Sequence, residues 1–322
     1  MQSNEQIIEH HIDKLDWSMS PRNLYEPIYY IISQGGKRIR PQLCLLSADL
    51  FSGDKNQAIY PAIAFELLHN FTLIHDDIMD NANLRRGKDT VFKKWNTNIA
   101  ILSGDALFAK SYEYLLNYQG KHLPELVSLL TKTAIEICEG QQLDLDFEQK
   151  KDVEISQYLN MIRLKTSVML AGCLKAGAIV SNTDENQQQL IYDFGIKTGL
   201  AFQIQDDMLD VYANQTKFGK YTGGDIAENK KTYMLLKVIE VAQGKDLEIL
   251  NYYLSSTDFD RQEKFSAVKS IYDKYEIKQQ ALELINKYYK DAVYILEQIP
   301  AKQEASKQTI IDFVNKLINR DY

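Results

Sequence analysis

The chain has 322 residues, 45% of them apolar and 11% aromatic, and its 37 Lys and Arg against 44 Asp and Glu leave a formal charge of −7. This composition excludes disordered and collagen-like chains, and the length allows either two domains or one large one. The acidic balance excludes a general nucleic-acid binder, whose phosphate contacts need a broad basic surface.

In chain order, apolar residues recurring every three or four positions predict helices over 4–16, 20–33, 38–52, 56–80, 90–118, 123–149, 152–180, 185–213, 228–242, 245–255, 259–275, 276–298 and 301–320. Strand-type alternation is hard to find. Proline is absent from 125 to 299 and no glycine follows Gly244, so little interrupts the helical pattern. The breaks are Gly35-Gly36, Ser52-Gly53-Asp54, Gly87 before Lys88-Asp89, and the segment from Asn214 to Asn229. None has linker composition, which predicts a single all-helical domain over 1–322. The N-terminus has no charged-then-apolar signal pattern, and the longest apolar stretch, Val168 to Val180, is interrupted by Lys175. A cytoplasmic protein without stable membrane insertion is expected. Cys44, Cys138 and Cys173 are odd in number and form no CxxC pair, so three buried thiols in a reducing compartment are expected.

Two acidic strings carry the chemistry: Asp76-Asp77-Ile78-Met79-Asp80, and Asp206-Asp207-Met208-Leu209-Asp210. On a helix, positions i and i+4 are about 40° apart, so Asp76 stacks with Asp80 and Asp206 with Asp210. Such columns repel themselves, and those near a helix C-terminus also oppose its dipole. A hard divalent cation compensates, and Mg²⁺ shared between carboxylates and phosphate oxygens is the usual arrangement. A solvated face is the plain reading of one such string. Two strings, on separate predicted helices and embedded among apolar residues, argue against it.

Basic clusters lie nearby in sequence: Lys37-Arg38-Ile39-Arg40 behind a glycine pair, Arg85-Arg86, Lys165 beside Thr166, Lys220, and Lys230-Lys231. Each alone is an ordinary surface feature. With metal-binding carboxylates they read as a diphosphate site, where several negative charges need both cations and Arg or Lys donors.

The chain resembles the trans-isoprenyl diphosphate synthases, or polyprenyl synthetases, over nearly its whole length. The resemblance rests on GGKRIRP at 35–41, LLHNFTLIHDDIMDNANLRRG at 67–87, GD at 104–105, EGQQLDL at 139–145, KT at 165–166, FQIQDDMLD at 202–210, and KFGK with GGDIAENKKTY at 217–233. It implies an all-α isoprenoid synthase bundle with a central cavity and two facing DDxxD helices. Asp76, Asp77, Asp80, Asp206 and Asp210 match residues holding more than one Mg²⁺ against the allylic diphosphate. Arg85, Lys165, Thr166, Gln203, Lys220 and Lys230 match allylic-diphosphate contacts. Lys37, Arg40, His69 and Arg86 match the isopentenyl diphosphate site, and Asp144, behind Gln141, resembles a supporting acid. A basic C-terminal tail is usual in the family, and here only Arg320 stands near the end. The resemblance also implies a homodimer. The implied reaction ionises the allylic diphosphate, joins it to isopentenyl diphosphate and eliminates a proton, with Asp76, Asp80, Asp206, Lys165 and Lys230 as its catalytic set.

Rival readings are few. Glu66-Leu67-Leu68-His69 is an ExxH string of the di-iron type, but no other histidine follows a glutamate at that spacing. A class I terpene cyclase shares the helical fold but usually replaces the second DDxxD. A non-catalytic partner subunit typically loses aspartates that are present here. Product length is open. Helical geometry places Thr72 one turn below Asp76 on its own stripe, whereas Phe71 is about 140° round. In the family, an aromatic at the Phe71 position marks short-chain enzymes. That pattern resembles a geranylgeranyl (C20) synthase most, a farnesyl (C15) one next, and a long-chain (C30–C40) enzyme less.

Overall fold

In the computed structural model the described residues are 3–213, 223–256, 258–300 and 304–318. They form α1 (Asn4–Asp13), α2 (Arg22–Ser33), α3 (Ile39–Leu50), α4 (Lys55–Met79), a hairpin of β1 (Leu84–Arg85) and β2 (Lys88–Asp89), α5 (Val91–Lys94), α6 (Thr97–Leu115), α7 (Leu123–Gln149) and α8 (Ile155–Ile162). A π-helical turn over Arg163–Ser167 leads into α9 (Val168–Val180) and α10 (Glu185–Tyr212). Then come α11 (Gly224–Ala227), α12 (Tyr233–Val241), α13 (Gly244–Ser255), α14 (Arg261–Lys274), α15 (Ile277–Glu297) and α16 (Glu304–Ile318). The all-α expectation holds.

Three local differences from the sequence expectation have physical causes. The helix expected over 90–118 breaks at Trp95-Asn96, because the Asn96 side chain caps a fresh start by accepting from Ile99 N at 2.9 Å. The helix expected over 152–180 changes pitch at Arg163–Ser167, and such turns favour functional sites. The hairpin is too short for alternation to reveal, but Arg86 (φ 54°) and Gly87 (φ 74°) form its two-residue turn, as a primed hairpin turn requires.

Contacts group the residues into two units. The first comprises Met1–Ala134, Met169–Tyr192 and Gln298–Ile310; the second comprises Ile135–Val168, Asp193–Glu297 and Ile311–Tyr322. In the first, α4 is the core element. Asp54 caps it, and from Ala58 to Leu68 every residue except Tyr60 is buried, the pattern of a helix enclosed on all sides. It packs chiefly on α6 and α3. In the second unit, α14 packs on α11, α13 and α15, and α12 lies on α8 and α15. Tyr158, Ile204, Met208, Val238 and Tyr272 are among its buried side chains.

Cys44 and Cys173 are buried, but Cys138 is exposed, which corrects the expectation of three buried thiols. The stripe of α7 that is buried runs through Leu126, Leu130, Ala134, Ile137 and Gln141, and Cys138 is turned off it by one residue. No described helix is long and apolar enough to cross a membrane.

Candidate active site

In the first unit, α4 ends immediately after its aspartates. Ala82 N bonds Asp77 O at 2.9 Å and Asn81 N bonds Ile78 O at 3.2 Å, with Asn81 left-handed (φ 48°). These are the two bonds of a Schellman stop with asparagine in the glycine role. Asp76 is half-buried and Asp80 exposed, while Asp77, 100° round from Asp76, is only 1% exposed. Arg85, delivered by the hairpin, grips Asp77: its Nε lies 2.9 and 3.0 Å from the two carboxylate oxygens, and its Nη2 lies 2.8 Å from Oδ1. A buried carboxylate needs such a partner. Thus Asp77 and Arg85, assigned from sequence to metal and diphosphate, are held to each other.

The cations assigned to isopentenyl diphosphate gather in the same unit. Lys37 and Arg86 are exposed, and Arg40 and His69 half-buried. His69 Nδ1 is buried without a hydrogen-bond partner. Burial, reinforced by Arg40, Arg85, Arg86 and Arg38, pushes the imidazole well below its ordinary pKa. An uncharged histidine among arginines is a setting for an anion and a hostile one for iron. Glu66 of the ExxH string is paired with Arg38 at 2.9 Å, which removes the di-iron reading. Phe71 packs edge-on against His75 (centroids 4.7 Å) and at a tilt against Phe108 (5.2 Å), and the Thr72 hydroxyl donates to His69 O at 2.8 Å.

In the second unit, Lys165, Thr166, Gln203, Asp206, Asp210 and Lys230 line one cavity of about 250 Å³, together with Asp144. The first six of these side chains are assigned from different parts of the sequence to the same diphosphate or its metal. The π turn carries Lys165 and Thr166. Lys165 Nζ lies 2.6 Å from Asp144 Oδ2. A relay fixes the rest: Tyr158 donates to Asp207 at 2.6 Å, Gln203 Nε2 donates to Asp207 at 2.8 Å, and Thr166 donates to Gln203 Oε1 at 2.8 Å. Asp210 accepts from Asp225 N at 3.0 Å, anchoring the start of α11.

Like charge is concentrated there. Burial first, then Asp206 and Asp144, raises the Asp207 pKa, while burial, Asp207 and Asp210 raise that of Asp225. Carboxylates that disfavour one another's ionisation are a place where a cation is stabilised. The donors are all oxygen, which suits Mg²⁺. That ion takes one or two protein carboxylates and completes its shell with water and phosphate, so it does not need a preformed protein cage; among the described residues no group of three acidic, His or Cys side chains makes one.

Sequence reasoning missed Tyr158, Asp207 as a buttress, Asp225 and Thr232, all of which line the cavity, as does Lys231 of the basic pair noted from sequence. Asp225 and Thr232 stand inside the quoted GGDIAENKKTY string, whereas nothing local marks Tyr158. Lys220 and Arg320 lie outside the described residues.

Fold and site together define an all-helical protein with acidic and basic clusters suited to diphosphates. The polyprenyl synthetase family pattern matches residues 21–274. The geranylgeranyl diphosphate synthase of Sulfolobus acidocaldarius is 38% identical over 286 residues, covering 87% of this chain and 86% of that protein. The geranylgeranyl pyrophosphate synthase of Geoglobus acetivorans is 35% identical, covering 98% and 97%. A crystal structure of a geranylgeranyl pyrophosphate synthase superposes with a TM-score of 0.93 at 40% identity, covering 100% of both chains. The chain belongs to the polyprenyl synthetase family.

Proposed function

We propose that this protein condenses isopentenyl diphosphate with an allylic diphosphate to give a short-chain trans-polyprenyl diphosphate, with C20 geranylgeranyl diphosphate as the expected product. The observation that carries the reading is the second-unit cavity, where cations and carboxylates nominated separately converge. Lys165, Lys230, Thr166 and Gln203 hold the allylic diphosphate, and Lys37, Arg40, His69 and Arg86 hold the isopentenyl one; Lys220 and Arg85 are assigned to the allylic side as well. Asp76, Asp80, Asp206 and Asp210 are the carboxylates that hold Mg²⁺, more than one ion per site, and Asp77 orients Arg85. Bound Mg²⁺ supplies charge stabilisation to the departing pyrophosphate.

The chain's own cations stabilise that same developing charge more than they stabilise the intact ester, and this difference lowers the barrier. The allylic C–O bond breaks with its electron pair leaving on the pyrophosphate. The isopentenyl double bond then forms the new carbon–carbon bond, and the proton lost from the adduct goes to a pyrophosphate oxygen. Met161 and Ile162 in the cavity wall exclude water from the cation. Phe71, buttressed by Phe108, is the floor that stops elongation, with Thr72 beside it. The relatives named as geranylgeranyl synthases support the C20 assignment over a C15 or a long-chain one. The protein acts as one catalytic domain, as a homodimer, in the cytoplasm. Pyrophosphate release that requires both substrates and is abolished by EDTA tests the reading; release from isopentenyl diphosphate alone, or full activity in EDTA, refutes it.

A further inference from the structure

The reaction leaves one buried ion pair unused. Arg38 is 4% exposed and its guanidinium has three acceptors: Nε bonds Glu9 Oε1 at 2.9 Å, Nη1 bonds Glu66 Oε1 at 2.9 Å, and Nη2 bonds Ile32 O at 3.1 Å. Its backbone is left-handed, with φ 45° and ψ 41°, at the entry to α3. A non-glycine residue holds that conformation only where its surroundings over-determine it. Around it, Gly35 (φ 69°) and Gly36 (φ 151°) also have positive φ. Arg86 donates to Gly35 O, and its guanidinium occupies the space that a Gly36 β-carbon would need, 2.9 to 3.2 Å away. Gln42 Nε2 donates to Lys37 O at 2.7 Å. The turn that carries Lys37 and Arg40 is therefore set by side-chain contacts on every side.

We infer that the Arg38–Glu66 pair, completed by Glu9, is a positioning device that fixes the Gly35–Arg40 turn so that Lys37 and Arg40 present their charges to isopentenyl diphosphate. Neither residue of the pair touches the substrate. The inference rests on the isopentenyl reading of that cluster given above. Stability alone does not account for the pair, because well-packed apolar residues commonly replace a buried ion pair without loss. An apolar pair, however, would supply no directional bonds to hold a left-handed residue at a chosen angle. The ExxH glutamate thus has a role that its motif does not announce: it lies one helical turn before His69 and ties the cationic turn to the helix bearing that histidine.

The test uses the full chain with Arg38→Met/Glu66→Leu, which removes both charges and leaves none buried alone, beside Glu66→Gln, Arg38→Lys and Lys37→Ala. Steady-state kinetics with each substrate varied, and urea midpoints, are measured. The double variant is expected to raise KM for isopentenyl diphosphate about tenfold, the loss equivalent to one charge-assisted contact, with KM for the allylic substrate and kcat held within about twofold. Arg38→Lys is expected to restore part of that loss. A folded double variant with a wild-type isopentenyl KM, or with both KM values raised equally, overturns the inference. If the double variant does not fold, Glu66→Gln decides in the same way, with a smaller selective rise expected and an unchanged KM overturning the inference. Lys37→Ala separates the two layers: if it raises the isopentenyl KM and the pair variants do not, positioning alone is wrong; if it leaves that KM unchanged, the isopentenyl reading itself is wrong.

Discussion

Gly140→Ala sets two opposing effects against each other inside the second unit. In a helix interior, alanine is favoured over glycine by about 1 kcal/mol, so propensity alone predicts a more stable α7. A β-carbon at 140, however, would collide with the Lys165 backbone nitrogen and come within 2.8 Å of Leu164 C and Lys165 Cα. These are main-chain atoms of the π turn and cannot swing aside as a side-chain tip can. Overpacking costs about 1–3 kcal/mol, and contact with fixed backbone puts this case toward the upper end. The clash wins, leaving a net loss of about 1–2 kcal/mol. The same displacement moves Lys165 away from Asp144, now 2.6 Å distant, and disturbs the cation assigned to the allylic diphosphate. Urea denaturation should show a lower midpoint at unchanged m, and kinetics a several-fold higher allylic KM. A variant as stable as wild type with unchanged KM would refute the reasoning.

Asp76→Ala and Asp206→Ala should each lower kcat by orders of magnitude at native circular dichroism, since charge stabilisation worth several kcal/mol is lost; near-normal turnover with Mg²⁺ would rule out their role. Lys37→Ala and Arg40→Ala should raise KM for isopentenyl diphosphate selectively, and Lys165→Ala and Lys230→Ala should do so for the allylic substrate, each by about 1.5–3 kcal/mol. Chromatographic sizing should show a longer product from Phe71→Ala and a shorter one from Thr72→Phe; an unchanged product from active Phe71→Ala would make that ring a core element. Because His69 binds a proton less readily when folded than its ordinary 6.5, its contribution to stability is complete above about pH 6.5 and is lost as pH falls below it. Urea midpoints of His69→Gln should therefore show a weaker decline from pH 7.5 to 5.5 than wild type, and parallel declines would contradict this.

Much of this was legible because the signals were local. The helix over 123–149 is observed as Leu123–Gln149, for it has Pro124 at its second position and a clear apolar stripe. That stripe also placed Cys138 off the buried face, and counting thiols as a class hid what the periodicity showed. The paired aspartates stood out because carboxylates in an apolar helix are costly without a cation. Tertiary features were not legible. The pitch change at Arg163–Ser167 and the closeness of Gly140 to Lys165 depend on how helices meet. The Asp77–Arg85 pair was hidden because residue type gives no burial, and Arg85 comes from a hairpin too short to register. Tyr158 reads as an ordinary apolar position until Asp207 is seen beside its hydroxyl.

The central claim is tested most directly by incubating the purified wild-type protein with Mg²⁺, isopentenyl diphosphate and dimethylallyl, geranyl or farnesyl diphosphate in turn, then sizing the dephosphorylated products by mass spectrometry. Condensation is expected to end at the twenty-carbon alcohol. No condensation with any starter, or accumulation of products of thirty carbons or more, would contradict it.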